Sequence, residues 1–171
     1  MNLLPQTYLL GLVGLLAIAA VVVGRQLLRV RRDESRLQQL EQSGTAKTRH
    51  AADLYELGSV QLRKRLYPQA TATLKQALKR LGDEPDEARA VIENALGFAL
   101  AAQKNYEEAS KHYKLALKAK PNYPVALNNL GYAQDKLLKT EEALTLYRRT
   151  LEIEPENQTA KRAVKKLEKR V

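Results

Sequence analysis

The chain has 171 residues, with 29 basic and 19 acidic side chains, a net charge of +10 and an isoelectric point near 9.8. It contains no cysteine, which excludes disulfides and thiolate-bound zinc, and its two histidines, His50 and His112, have no further His or Cys at metal-ligand spacing. The charge excess is not interleaved with aromatic residues and collects in two stretches, Arg25 to His50 and Glu156 to Val171, leaving the middle nearly neutral; nucleic acid is therefore not the expected partner.

No charged side chain occurs from Met1 through Gly24. Residues 5–28 form an apolar run that can cross about 30 Å of hydrocarbon at about 1.5 Å per residue, and they are expected to be a transmembrane helix. The competing reading is a cleaved signal peptide. Ala17-Ile18-Ala19 offers a small-x-small site, and cleavage there would give a secreted or periplasmic protein lacking residues near 1–20. Against it, no Lys or Arg precedes the apolar core, and the run continues through Val21-Val22-Val23 past that site. Gly11, Gly14, Ala17 and Ala20 recur every three residues, a spacing that suits helix–helix packing but is common in spans generally.

Arg25, Arg29, Arg31, Arg32 and Arg36 follow the span. This asymmetry places the rest of the chain on the cytoplasmic side, or on the equivalent face of an organelle membrane. Arg25, Arg29, Arg31 and Arg32 are the expected contacts to anionic lipid headgroups. Residues 29–50 read as a juxtamembrane helix, edged by Val30, Leu37 and Leu40, and then a linker that breaks at Ser43-Gly44-Thr45.

From there the sequence repeats. Gly97 and Gly131 lie 34 positions apart, and their neighbours match at the same offset: Tyr106-Glu107-Glu108-Ala109 with Thr140-Glu141-Glu142-Ala143, Tyr113 with Tyr147, Leu117 with Leu151, Pro121 with Pro155. An earlier copy places Leu57-Gly58 at the Leu-Gly position and Tyr67-Pro68-Gln69-Ala70 at the turn. Its spacing to the next copy is 39, and the extra residues fall in Leu81-Gly82-Asp83-Glu84-Pro85-Asp86, a predicted loop. A 34-residue period with a Leu-Gly pair, an Ala, an aromatic and a closing Pro is the signature of tetratricopeptide repeats.

Each unit reads as two helices. Leu54, Leu57 and Gln61, like Leu127, Leu130 and Gln134, are spaced i, i+3, i+7, an apolar stripe that each Gln interrupts. The small Gly and Ala positions predict close approach of the two helices, and Pro121 and Pro155 end units. The expected fold is all-α: a tetratricopeptide solenoid of three repeats over 51–155 (units 51–85, 90–123 and 124–157), preceded by the one transmembrane helix. A basic capping helix, 156–171, closes it, with Ala160, Ala163, Val164 and Leu167 as its apolar stripe.

Nothing in the chain assembles a catalytic site. Glu107-Glu108 and Glu141-Glu142 recur at one place in the repeat, in the first turn of a helix, where negative charge suits the macrodipole. His112, between Lys111 and Tyr113, is expected on the surface of its helix. No phosphate-cradling loop or nucleophile elbow is present, so the chain is expected not to be an enzyme, and no residue is assigned to a cofactor. Function should lie in protein clients bound on the concave face, which the first helix of each repeat lines. The groove positions are Tyr55, Ser59, Leu62 and Arg63; Val91, Asn94, Phe98 and Ala102; and Val125, Asn128, Tyr132, Asp135 and Lys136. Phe98 and Tyr132 read either as binding anchors or as packing against the neighbouring repeat. Asn94 and Asn128 occupy equivalent sites suited to the backbone of an extended ligand. Tyr55 and Ser59 stand where the chaperone-tail-binding members of the fold place Lys and Asn, which argues against that role.

The single span with its Arg-rich exit, Leu54-Tyr55-Glu56-Leu57-Gly58-Ser59, Asn94-Ala95-Leu96-Gly97-Phe98-Ala99, Pro121-Asn122-Tyr123 and the long first loop together resemble the tetratricopeptide photosystem I assembly factors of cyanobacteria and plastids. The resemblance runs over essentially the whole chain. It implies a single-pass thylakoid protein, repeats on the cytoplasmic or stromal side, that helps photosystem I subunits assemble or stay stable. The alternative function is a general membrane-anchored adaptor in protein export or in envelope or secretion-complex assembly, because one span joined to tetratricopeptides is a common arrangement.

Overall fold

The computed structural model describes residues 4–42, 50–82 and 85–170, which form eight helices and no strand among the described residues. The chain divides into two units, one ending at Ser43 and one beginning at Gly44. The predicted break at Ser43-Gly44-Thr45 lies outside the described residues, as do Asp83 and Glu84 of the first loop.

The first unit is one helix, α1 (Leu4–Gln42), 39 residues long. It is long and apolar enough to cross a membrane, and its Leu, Ile and Val side chains from Leu9 to Val30 are mostly exposed. No helix in water leaves such a surface uncovered without a lipid or protein partner. Arg25, Arg29, Arg31 and Arg32 are exposed on its second half.

The second unit stacks helical hairpins: α2 (Ala51–Arg63) with α3 (Tyr67–Arg80), α4 (Asp86–Ala102) with α5 (Tyr106–Ala119), α6 (Pro124–Lys136) with α7 (Thr140–Ile153), and α8 (Gln158–Leu167) on α7. Each helix packs on the next, and α4 also touches α2 and α6, so the first helices of the hairpins form an inner layer. The Leu-Gly positions explain how closely the hairpins close. A Cβ on Gly58 would fall 2.7 Å from Leu74 Cγ, one on Gly97 2.6 Å from Tyr113 Cε1, and one on Gly131 3.0 Å from Tyr147 Cζ. Leu54, Leu74, Leu96, Tyr113 and Leu127 are fully buried, and Leu81, read from sequence as loop, is buried with them at the end of α3.

The hairpin turns carry a feature that the repeat pattern did not suggest. Arg65, Lys104 and Leu138 all have positive φ (60°, 64° and 63°) at the same place in three copies. In each, the next residue's N–H reaches back to the carbonyl five residues earlier: Leu66 to Gln61, Asn105 to Leu100, Lys139 to Gln134. This is the left-handed helix stop that glycine usually makes, here made by larger side chains.

Gln61 and Gln134, the polar interruptions of the stripe, are both buried, and the Gln134 amide donates to the Glu142 carboxylate. One sequence expectation is corrected. His112 is not a surface residue. Its side chain is only 15% exposed and Nδ1 lies 2.6 Å from Oε2 of Glu93, itself buried on α4. Where the other two repeats carry Leu54 and Leu127, α4 carries Glu93, which faces the ring, and pairing offsets the desolvation each polar group would otherwise suffer.

Candidate protein-binding site

The inner ends of α4 and α6 meet over a pocket of about 370 Å³. Phe98, Ala101 and Ala102 line it from α4, and Asn128, Asn129 and Tyr132 from α6. Tyr113 and Tyr147 close its floor, and Thr159 of α8 completes the wall. The lining is mostly apolar and aromatic, and the volume lies at the small end of the roughly 300–1,000 Å³ typical of ligand pockets.

Four expected groove residues therefore converge here: Phe98, Ala102, Asn128 and Tyr132. Phe98 and Tyr132 remain 45% and 46% exposed. Tyr132 meets Tyr106 edge-on at 6.1 Å, and Lys136 Nζ sits 5.3 Å from its ring centroid. The ring is thus held from two sides while its outer face stays open. Asp135 is drawn away from a ligand-facing role: it accepts from Arg170 at 2.9 Å and lies 3.9 Å from Lys166. On α2, Tyr55 and Leu62 pack partly against the core, Ser59 is half-buried, and Arg63 bonds back to the Ser59 carbonyl at 3.4 Å. None of the four lines the pocket. Val91 packs partly against the core and Val125 is exposed.

The two asparagines differ. Asn94 Oδ1 accepts from Asn129 Nδ2 at 2.9 Å, so its amide oxygen is engaged within the chain. Asn128 donates to Asn157 Oδ1 at 3.1 Å, but its own buried Oδ1 has no protein partner. A buried acceptor without a donor is destabilising until something supplies one. Burial drives the tyrosine hydroxyls of the floor towards the neutral form: Tyr113 is raised well above its ordinary value, and Tyr147 is pushed up to about 12, with the Asp135 charge adding to the effect. Tyr132 is raised more weakly, because Lys136 opposes burial. The site is therefore an uncharged aromatic floor beside one buried acceptor that has no protein donor. Tyr113, Tyr147, Asn129 and Thr159 were not assigned to the groove from sequence; the tyrosines were legible only as helix-packing residues, and Thr159 only as part of the cap.

The tetratricopeptide-repeat family model matches residues 88–156, which contain α5, α6, α7 and most of α4. The chain is 36% identical over 160 residues to the chloroplastic tetratricopeptide repeat domain-containing protein PYG7 of Arabidopsis thaliana, covering 91% of this chain but only 51% of that protein. It is 30% identical over 158 residues to the ycf37 protein of Guillardia theta, covering 92% of this chain and 89% of that one. Among solved structures, the first tetratricopeptide domain of Spaghetti (RPAP3), bound to an HSP90 peptide, superimposes with a TM-score of 0.65 at 26% identity, over 70% of this chain and 91% of that one. The fold is a tetratricopeptide solenoid, a protein-interaction module. Within that class, the chain belongs to the ycf37 family, whose members here come from plastid-bearing organisms.

Proposed function

We propose that this chain is a membrane-anchored scaffold that holds client subunits in the groove of its repeats while they are built into photosystem I, without catalysing a reaction itself. The observation that carries the reading is the pairing of a long, uncovered apolar helix with a half-open aromatic pocket on the inner layer of the solenoid. Membership of a family with chloroplastic and algal relatives supports the photosynthetic setting. The helix α1 serves as a single thylakoid span, Arg25, Arg29, Arg31 and Arg32 contact anionic headgroups, and the repeats lie on the cytoplasmic or stromal side. Phe98 and Tyr132 take an apolar side chain of the client, and Asn128, which lines the pocket beside them, lies against the same segment. The remaining groove positions, Tyr55, Ser59, Leu62, Arg63 and Asn94, extend the surface on which the client lies.

The test is deletion in a photosynthetic host, complemented with wild type or with Phe98→Ala/Tyr132→Ala. Photosystem I per chlorophyll should fall on deletion and be restored by the wild type only, with circular dichroism showing the double variant folded. Unchanged photosystem I in the deletion strain, including under high light, would refute the assembly role. Full complementation by the double variant would refute the groove.

A further inference from the structure

The carboxylates around the pocket are engaged inside the chain, whereas several cations on its α8 side are not. Glu168 pairs with Arg148 of α7 at 2.9 Å, and Glu156 with Lys161 at 2.8 Å. Asp135, the single acidic residue of α6, is held by Arg170 and faces Lys166. Arg162, Lys165 and Lys169 are exposed and pair with no carboxylate among the described residues.

Position as well as number matters. Thr159 lines the pocket, and Arg162 and Lys166 follow it at three and seven residues, on the same side of α8. Lys166 and Arg170 reach across to Asp135 on α6, whereas Glu168 turns the other way, towards α7. Lys136 stands over the outer edge of Tyr132. An apolar pocket is thus bordered on one side by a basic wall whose one local acid is already neutralised.

We propose that the segment captured here is an acidic peptide: an apolar or aromatic side chain enters between Phe98 and Tyr132, and Asp or Glu residues beside it lie along Arg162, Lys166, Lys169 and Lys136. The inference rests on the groove reading above and gives it a partner chemistry. A peptide fits better than a lipid surface because the row continues from Thr159, which lines a recess between helices, and one of its members, Lys166, lies 3.9 Å from Asp135. Each exposed pair is individually weak, but a row of like charges steers an acidic segment and selects against a basic one.

The experiment uses the full chain in nanodiscs of phosphatidylcholine and labelled extended peptides of equal length, each with a central Phe and flanks of Glu, Ser or Lys. The Glu-flanked peptide should bind roughly tenfold more tightly than the Ser-flanked one at low salt, with the Lys-flanked peptide weakest and the differences shrinking as ionic strength rises. Arg162→Glu/Lys169→Glu should reverse that order while leaving the helical circular dichroism unchanged. Equal binding of the Glu and Ser peptides, both lost on Phe98→Ala/Tyr132→Ala, would overturn the acidic preference and leave the groove standing. A preference for Glu that survives the charge reversal would overturn its placement on Arg162 and Lys169. No binding by any of the peptides would overturn the groove and the preference together. If the charge reversal instead abolishes co-sedimentation of the loaded phosphatidylcholine nanodiscs with phosphatidylglycerol vesicles and leaves the peptide order unchanged, the cations serve lipid and the proposal fails.

Discussion

At Gly97 the absence of a side chain is a packing requirement rather than a conformational one. The added methyl of Gly97→Ala would meet the Tyr113 ring at 2.6 Å, and that ring, 1% exposed, has nowhere to go. The helix gains about 1 kcal/mol of propensity from Ala, yet overpacking costs roughly 1–3 kcal/mol, so net destabilisation is expected in urea unfolding. Gly131→Ala, at 3.0 Å from Tyr147, should lose less. Leu138 gives the opposite case. It is 88% exposed and sits at φ 63°, so it contributes strain without packing. Leu138→Gly should stabilise the chain by roughly 0.5 kcal/mol, the left-handed strain released less the unfolded-state entropy that glycine adds. Tyr147 sets a pH limit. Its folded pKa of about 12 lies above the ordinary tyrosine value, so its contribution is complete below about pH 10 and is lost as pH rises through about 12. Tyr147→Phe should soften that alkaline loss of stability, measured as the midpoint of unfolding against pH.

Among the elements, α8 does two things at once. Its stripe of Ala160 and Leu167, with Ala163 and Val164 partly packed, covers Ala143, Leu144 and Tyr147 of α7, which would otherwise face water. Its amino terminus is tied to the pocket through Asn157, whose Oδ1 accepts both the Ala160 N–H at 3.0 Å and the Asn128 amide at 3.1 Å. Asn157→Ala should therefore cost about 1 kcal/mol for the lost cap, with a further loss from the stranded Asn128 amide. Asn157→Asp keeps the acceptor and should retain most of the stability. Thermal denaturation of both variants separates the two, and equal stability of the Ala variant would show that the cap is idle. The carboxylates Glu107 and Glu108 on α5, and Glu141 and Glu142 on α7, sit in first turns, where they complement the helix dipole.

The whole molecule combines an uncovered apolar rod with a folded stack whose own core is complete. Because α1 buries almost none of its apolar side chains, water alone is a poor solvent for the intact chain. The full-length protein should stay with the membrane through alkaline carbonate washing and enter solution only with detergent. Release by carbonate, with the first residues still attached, would remove the anchor.

The helical repeat, the hairpin order and the apolar leading helix could be read from sequence, because a 34-residue period of small and large residues dictates how each hairpin closes, and a charge-free run of that length has few other uses. Gly58, Gly97 and Gly131 stood out for the same reason: close packing leaves a local mark at every copy. The pairing of His112 with Glu93, the capture of Asp135 by Arg170 and the entry of Thr159 into the pocket left no such mark. They join residues 19 to 35 positions apart, or on five different helices, and arise only when the helices stack at a particular angle. Periodicity specifies which face of a helix is buried; the partner of each polar group on its margin is decided by the neighbouring helix, and so by the tertiary structure alone.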